Sequence, residues 1–459
     1  MKRFLFNLFI AAGFSLLFAL AEWGVTGETA FSQWALDFAV LLLLTFFRGW
    51  QMLLALWIIL ETIQLSFFSY FRRFADATDM KLFFSHISET LESLFALLHL
   101  FLTPFAMGIA GLSALFLIRR LPCVRWRDSR WKKGAVFSFF LLIMFNMNPA
   151  FRLGVSLVQA LLPVKETGTA TTDIPSFHAP LHEANLSIFL VIGESLPCSS
   201  FVLERFREAG MPARCIVSGA TNTDVSVPLL LCGIDDPRHL KEAKSANLFY
   251  LASQNGMKTV FISMQSPKAL QYINPYLCRG CLDTYVATPR TKLPPDYDDK
   301  LVGYLKSGTD RPVFMVMQMI GEHSPYIYFP GPKSDNPAQN YKKAVDYTVS
   351  VLERMLHVLR ERKRPWLFLF TSDHGEFSGE KGRFGHNTFD PRIYRVPMIL
   401  ASNVALPEAI GEIACHRDLY RLIRTMMGYE KAYRPHGGPC IVNGTMQDRQ
   451  DGFIEVPRG

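Results

Sequence analysis

Two acidic residues and three histidines stand at positions where a folded chain could bring them together. Glu194 follows the apolar run "LSIFLVIG", and Asp373 and His374 follow the apolar run "WLFLFTS". Carboxylate oxygens with an imidazole nitrogen form a donor set that suits zinc and, less selectively, manganese. A carboxylate at a strand end is also a common helix cap, so it is the combination that carries weight. Between these residues lies "SGATNTDVSVPLL", rich in small hydroxyl residues and bracketed by Cys215 and Cys232. Such a composition favours a turn and a helix start on its own account. It also offers Thr223 or a neighbour as a nucleophile at a helix N-terminus, where backbone N–H groups favour a phosphate. A free threonine hydroxyl is a poor nucleophile at neutral pH, and coordination to a dication would activate it. His323 in "GEHSPY" and His386 in "GRFGHN" complete the set. Either could bind a second metal, orient a phosphoryl group or protonate a leaving alkoxide.

The elements that must position these residues are legible as buried strands alternating with amphipathic helices. "LSIFLVIGES" leads into the helical pattern "SSFVLERFREAG". The same grammar recurs at "KTVFISM", "RPVFMVMQMIGEH" and "WLFLFTSDHGE", with "YKKAVDYTVSVLERMLHVLRER" as a helix before the last. This pattern predicts an α/β domain with a mainly parallel sheet flanked by helices. Ligands of such sheets bind beyond the carboxyl ends of the strands, and three of the four runs end in potential metal ligands.

Ahead of this domain, residues 1–163 are dominated by Leu, Phe, Ala, Ile and Trp. A bilayer core about 30 Å thick needs about 20 apolar residues in a helix. Five stretches approach that, at about 4–22, 34–48, 50–70, 90–118 and 134–162, followed by a polar linker over 164–185 and a catalytic domain over 186–459. The segment "RRLPCVRWRDSRWKK" carries seven basic residues against the single acid Asp128, which places it in the cytoplasm and everything after the fifth helix outside it. Arg72 and Arg73 count against this orientation. The net charge of +8 owes most of its excess to that loop, and the absence of a basic tract elsewhere disfavours nucleic-acid binding. Glu61 lies inside the third span, where an ionisable group is expensive. Six cysteines of the outer domain can pair, and 215–232, 278–281 and 415–440 are the simplest of the 15 connectivities. Cys123 is expected as a reduced thiol and Cys198 is left unassigned. "CRGC" lacks the second C-x-x-C that a zinc ribbon would need.

The strings "VIGES", "SGATNTDVSVP", "MIGEHSPYIYFP" and "TSDHGEFSGE" with "FGHN", in this order after five apolar spans, resemble the phosphoethanolamine transferases of Gram-negative bacteria. Their catalytic domain belongs to the alkaline-phosphatase and sulfatase superfamily. The resemblance implies zinc held by Glu194, Thr223, Asp373 and His374, with Thr223 also the nucleophile. It implies contacts of His323 and His386 with the phosphoryl group or an additional zinc. It further implies phosphatidylethanolamine as donor, a lipopolysaccharide or other envelope glycan as acceptor, and a multi-pass inner-membrane protein with its catalytic domain in the periplasm. If lipid A is the acceptor, resistance to cationic antimicrobial peptides would follow. Where family members carry cysteines close on either side of the nucleophile, this chain has Gly219 and Leu229. A glycerol-phosphate transferase of the lipoteichoic acid synthase type and a non-catalytic membrane sensor are the alternatives. The string "TNTDVSVP" and the paired cysteines favour phosphoethanolamine.

Overall fold

The computed structural model describes residues 2–27, 31–46, 50–75, 97–118, 153–158, 180–182, 185–267, 269–287, 298–306, 310–444 and 452–458, with a few single positions between 77 and 95. The chain divides into two compact units, Met1–Pro163 with Glu380–Phe384, and Val164–Gly379 with Gly385–Gly459.

In the first unit, α1 (Lys2–Thr26), α2 (Phe31–Leu44), α3 (Trp50–Phe71) and α4 (Leu102–Ile118) pack around Phe14, Phe18, Leu41, Leu54 and Ile58. Among the described residues three helices are long and apolar enough to cross a membrane: Phe4–Thr26, Trp50–Phe71 and Leu98–Ile118. The apolar part of α2, Trp34–Leu44, is shorter. The expected span at 134–162 and the linker at 164–185 lie mostly outside the described residues, as do the basic segment and Cys123. Small residues let the helices approach closely, as is usual without a hydrophobic driving force between them. A Cβ added at Gly108 would lie 2.4 Å from the Thr62 hydroxyl of α3. Glu61 is 3 % exposed, so it faces neighbouring helices instead of reaching for the membrane interface.

The second unit is built on a seven-stranded sheet. Its strands are β1 (Ser187–Gly193), β2 (Arg214–Val217), β3 (Lys258–Ser263), β4 (Thr284–Ala287), β5 (Val313–Gln318), β6 (Trp366–Ser372) and β7 (Arg395–Ser402). They lie in the order β2-β7-β6-β1-β5-β3-β4. β6, β1, β5, β3 and β4 run parallel, β7 runs antiparallel between β6 and β2, and the sheet is therefore mainly parallel as its apolar runs predict. Register follows the side-chain alternation of the central strand. Ile188, Leu190 and Ile192 join one core with Phe261, Phe314, Val316, Leu367 and Leu369. Phe189 and Val191 point to the opposite face and are equally buried, which is why β1 shows no polar alternation.

Helices cover both faces. α5 (Ser200–Glu208) and the long α6 (Pro337–Arg360) lie on one side, and α6 buries Tyr341, Ala344, Val345, Thr348, Leu352, Met355 and Leu359 at helical spacing. Asn336 starts that helix by accepting the Ala338 amide at 3.0 Å, with Pro337 at the first position, where a missing N–H costs nothing. The other side carries the helices Thr223–Cys232, Leu248–Gln254 and His416–Met426, whose Leu230, Phe249, Leu419 and Ile423 complete the core. A C-terminal ribbon, Cys440–Asn443 with Phe453–Val456, was not foreshadowed by any strong pattern.

The disulfides differ from expectation. Cys215 pairs with Cys198, just beyond β1, at a Cα–Cα distance of 5.6 Å, and not with Cys232. Cys232 is sealed in the interior, where Asn247 donates to its sulfur at 3.8 Å and burial pushes the thiol up to about 12. Cys278–Cys281 forms as predicted. Cys415 and Cys440 share one apolar cluster but remain thiols, the first directed at the Asp418 carboxylate at 3.6 Å.

Candidate active site

β1 and β6 are adjacent and parallel, with Gly193 beside Ser372, so the residues that follow them emerge together at one sheet edge. This register brings Glu194, Asp373 and His374 within reach of one ion: one ligand atom from each lies within 4.8 Å of the others. Thr223 reaches the same edge after β2, as the first residue of the helix Thr223–Cys232. Asn222 caps that helix by accepting the Asp224 amide at 2.9 Å. The Thr223 hydroxyl lies 2.6 Å from Asp373 Oδ2, 3.0 Å from His374 Nε2 and 3.5 Å from each Glu194 oxygen. Thr221, two residues earlier, keeps its hydroxyl buried away from this group and contributes only backbone contacts.

Glu194, Asp373 and His374 are each held by further partners. Glu194 Oε1 accepts from Ser195 Oγ at 3.0 Å and Oε2 from Gln265 Nε2 at 2.9 Å. Asp373 Oδ1 accepts the amides of His374 at 2.7 Å and Ser195 at 3.1 Å, which leaves Oδ2 for Thr223. A backbone carbonyl only accepts, so the ring nitrogen facing one must carry hydrogen. His374 Nδ1–H donates to Gly375 O at 2.9 Å, His386 Nδ1–H to Thr221 O at 3.1 Å and His323 Nδ1–H to Ser324 O at 2.6 Å. In each of the three rings Nε2 is the nitrogen left over, and in the neutral form it carries the lone pair that a metal ligand needs. The His374 and His386 rings are 4.3 Å apart.

Electrostatics point the same way. Burial first, and then the Asp373 charge, holds the Glu194 carboxyl well above the usual range. Burial, with His374 next, pushes His386 well below the ordinary histidine value, so it stays neutral. Two buried carboxylates with only imidazoles beside them are an arrangement that a dication would relieve, and the oxygen, oxygen and nitrogen donors with the Thr223 hydroxyl fit such an ion. The geometry thus brings Glu194, Thr223, Asp373, His374 and His386 into one group, with His323 following β5 on the same edge.

Sequence reasoning missed Gln265, Ser372 and Asn443. Ser372 Oγ accepts the Leu196 amide at 2.9 Å, and Asn443 fixes the loop before Thr223 through Asn443 N–H to Gly219 O at 2.9 Å and Thr221 N–H to Asn443 O at 3.1 Å. Gln265 stands two residues past a recognised strand, the one signal that could have found it.

The Sulfatase family model matches residues 191–429, more than half of the chain. The sequence is 23% identical over 352 residues to YhbX of Escherichia coli (strain K12), covering 68% of this chain and 61% of that protein. It is 26% identical over 270 residues to the low-salt glycan biosynthesis sulfotransferase Agl7 of Haloferax volcanii, covering 53% of this chain and again 61% of the relative. The chain thus spans about three fifths of the length of the curated relatives it matches. Its fold is that of the integral membrane lipooligosaccharide phosphoethanolamine transferase A from Neisseria meningitidis, with a TM-score of 0.60, 14% identity, and coverage of 93% of this chain and 96% of that one. Apolar N-terminal helices followed by a helix-flanked, mostly parallel sheet that gathers its acidic and imidazole groups at one edge make this chain a member of the sulfatase family within the alkaline-phosphatase superfamily.

Proposed function

We propose that the chain transfers phosphoethanolamine from phosphatidylethanolamine to a lipopolysaccharide acceptor, lipid A or a core sugar, with Thr223 as nucleophile. The observation that carries this reading is the Thr223 hydroxyl placed 2.6 Å from Asp373 Oδ2 and 3.0 Å from His374 Nε2. Zinc, in preference to manganese, held by Glu194, Thr223, Asp373 and His374, would lower the hydroxyl pKa and draw charge from the phosphoryl oxygens.

The chain's own groups do the rest. Bound to the ion, the Thr223 hydroxyl would release its proton to solvent, and Oγ1 attacks phosphorus. The bond to the diacylglycerol oxygen breaks, and a phosphoethanolamine ester forms on Thr223. Desolvation disfavours a charge on His386, and the Nε2 lone pair of its neutral ring suits a second ion. Half-buried His323, when protonated at Nε2, would give that proton to the leaving alkoxide. In the second step an acceptor oxygen attacks the phosphothreonine and restores the hydroxyl. Charge stabilisation around the phosphoryl oxygens supplies most of the acceleration in such transfers. Apolar helices suit a donor and an acceptor that both reside in membranes, with the enzyme in the inner membrane and its site in the periplasm.

The test is mass spectrometry of lipid A and core oligosaccharide from cells expressing the protein or Thr223→Ala. A phosphoethanolamine increment with the intact protein alone supports the reading and names the acceptor fraction. A glycerol-phosphate increment, or none in any envelope glycan, defeats it.

A further inference from the structure

We propose that His416 is a positioning residue that clamps the nucleophile-bearing loop to the metal-ligand strand, and so sets where the Thr223 hydroxyl stands. His416 is the first residue of the helix His416–Met426, is 2 % exposed, and touches no ligand atom of the site. Its ring lies between two backbone segments. Nε2 is 3.1 Å from Ser372 O and 3.2 Å from Thr371 Oγ1, the last two residues of β6, which directly precede Asp373. Nδ1 is 3.3 Å from the Gly219 amide and 3.4 Å from Ser226 Oγ, on either side of Thr223.

These partners fix the proton. Ser372 O can only accept, so Nε2 carries the hydrogen, and the Gly219 amide can only donate, so Nδ1 carries the lone pair. Ser226 spends its own hydroxyl hydrogen on Asp373 O at 2.6 Å, a second tie between the same two segments. Burial pushes His416 down to about 4, so the ring is a neutral donor and acceptor at physiological pH. A cation there would have no lone pair for Gly219, and a hydrocarbon would leave both backbone groups without this partner. One ring thus measures the spacing between the strand that delivers Asp373 and His374 and the loop that delivers Thr223.

The test rests on the proposed transfer reaction and carries a readout independent of it. Full-length protein in detergent, loaded with zinc, is compared as wild type, His416→Leu, His416→Asn and His416→Gln. An asparagine oxygen reproduces the Nδ1 acceptor and a glutamine amide the Nε2 donor. The rate at which Thr223 is labelled by phosphatidylethanolamine micelles, read by intact mass, is expected to fall about 100-fold in His416→Leu, the scale of a 1 Å misplacement. Bound zinc and the KM for donor should change little. His416→Asn is expected to recover most of the rate because it keeps the bond to Gly219, whereas His416→Gln should not. Equal losses in Asn and Gln variants that follow Tm, or wild-type labelling in His416→Leu, would overturn the proposal. If wild-type protein is never labelled, the transfer reading fails. Hydrogen exchange over residues 216–223 then decides: faster exchange in the Leu and Gln variants with protection restored by Asn upholds the clamp, and equal protection in all four removes it.

Discussion

The neighbours of each proposed ligand matter as much as the ligand itself. Gln265 Nε2 holds Glu194 Oε2 at 2.9 Å, and loss of such a partner typically weakens a metal site about 10- to 100-fold. Gln265→Leu is therefore expected to lower zinc affinity in that range, measured by chelator competition, while leaving the fold intact by circular dichroism. Glu194, Asp373 and His374 were legible because each ends an apolar run, and the helix-start composition after Cys215 pointed to Thr223. The structure brings Thr223, and not Thr221, to the carboxylates. Gln265, His416 and Asn443 were illegible for a common reason: their work is done on backbone groups or one distant side chain, which leaves no periodicity or spacing in the sequence.

Among the elements, the turn after β6 is closely packed against backbone. A Cβ on Gly375 would stand 2.2 Å from Arg392 O and 2.9 Å from Pro197 Cα, neither of which can yield without moving backbone. Gly375→Ala is expected to destabilise the domain by about 1–3 kcal/mol, the usual cost of overpacking, and to lower Tm accordingly. Beneath the β5 edge, burial raises Glu322 to about 8 and Asp298 to about 7, the latter although it accepts the Ile320 and Gly321 amides at 3.0 Å each. Folded values above the unfolded ones mean stability that is full below the ordinary carboxylate range and is lost as pH rises toward 8. Tm should therefore decline between pH 5 and 8, and Glu322→Gln should flatten that decline; an unchanged slope would locate the cause elsewhere. Four of the parallel strands, β1, β3, β5 and β6, were legible as unbroken apolar runs, whereas the four-residue β4 was too short to show one. β7 was not legible either, because Pro397 sits inside it and a proline demotes a run from central-strand status. It is tolerated because the neighbour on that side, β2, is a four-residue edge strand.

At the scale of the whole molecule, the two-part division of composition was plain in the sequence, whereas the pairing of cysteines depends on three-dimensional proximity. The Cys198–Cys215 bridge closes a loop of 17 residues between β1 and the strand leading to Thr223. Chain-entropy arguments give such a loop about 3 kcal/mol of stabilisation. Cys198→Ser is thus expected to shift the denaturation midpoint by about that amount, and non-reducing peptide mapping should recover 198–215 and 278–281 while Cys232 resists alkylation until the chain unfolds.

Because β7 runs against its neighbours, the chain that leaves β6 at Ser372 and enters β7 at Arg395 begins and ends on the same edge of the sheet. Asp373, His374 and His386 all ride on this one excursion. Its two anchors would stay fixed if the span between them grew or shrank, and each doubling of length adds only about 0.6 kcal/mol of closure entropy. The fold has in effect a cassette: a segment that lineages could exchange, or an engineer could transplant between relatives, to change what the site accepts while the sheet that carries it is inherited unaltered.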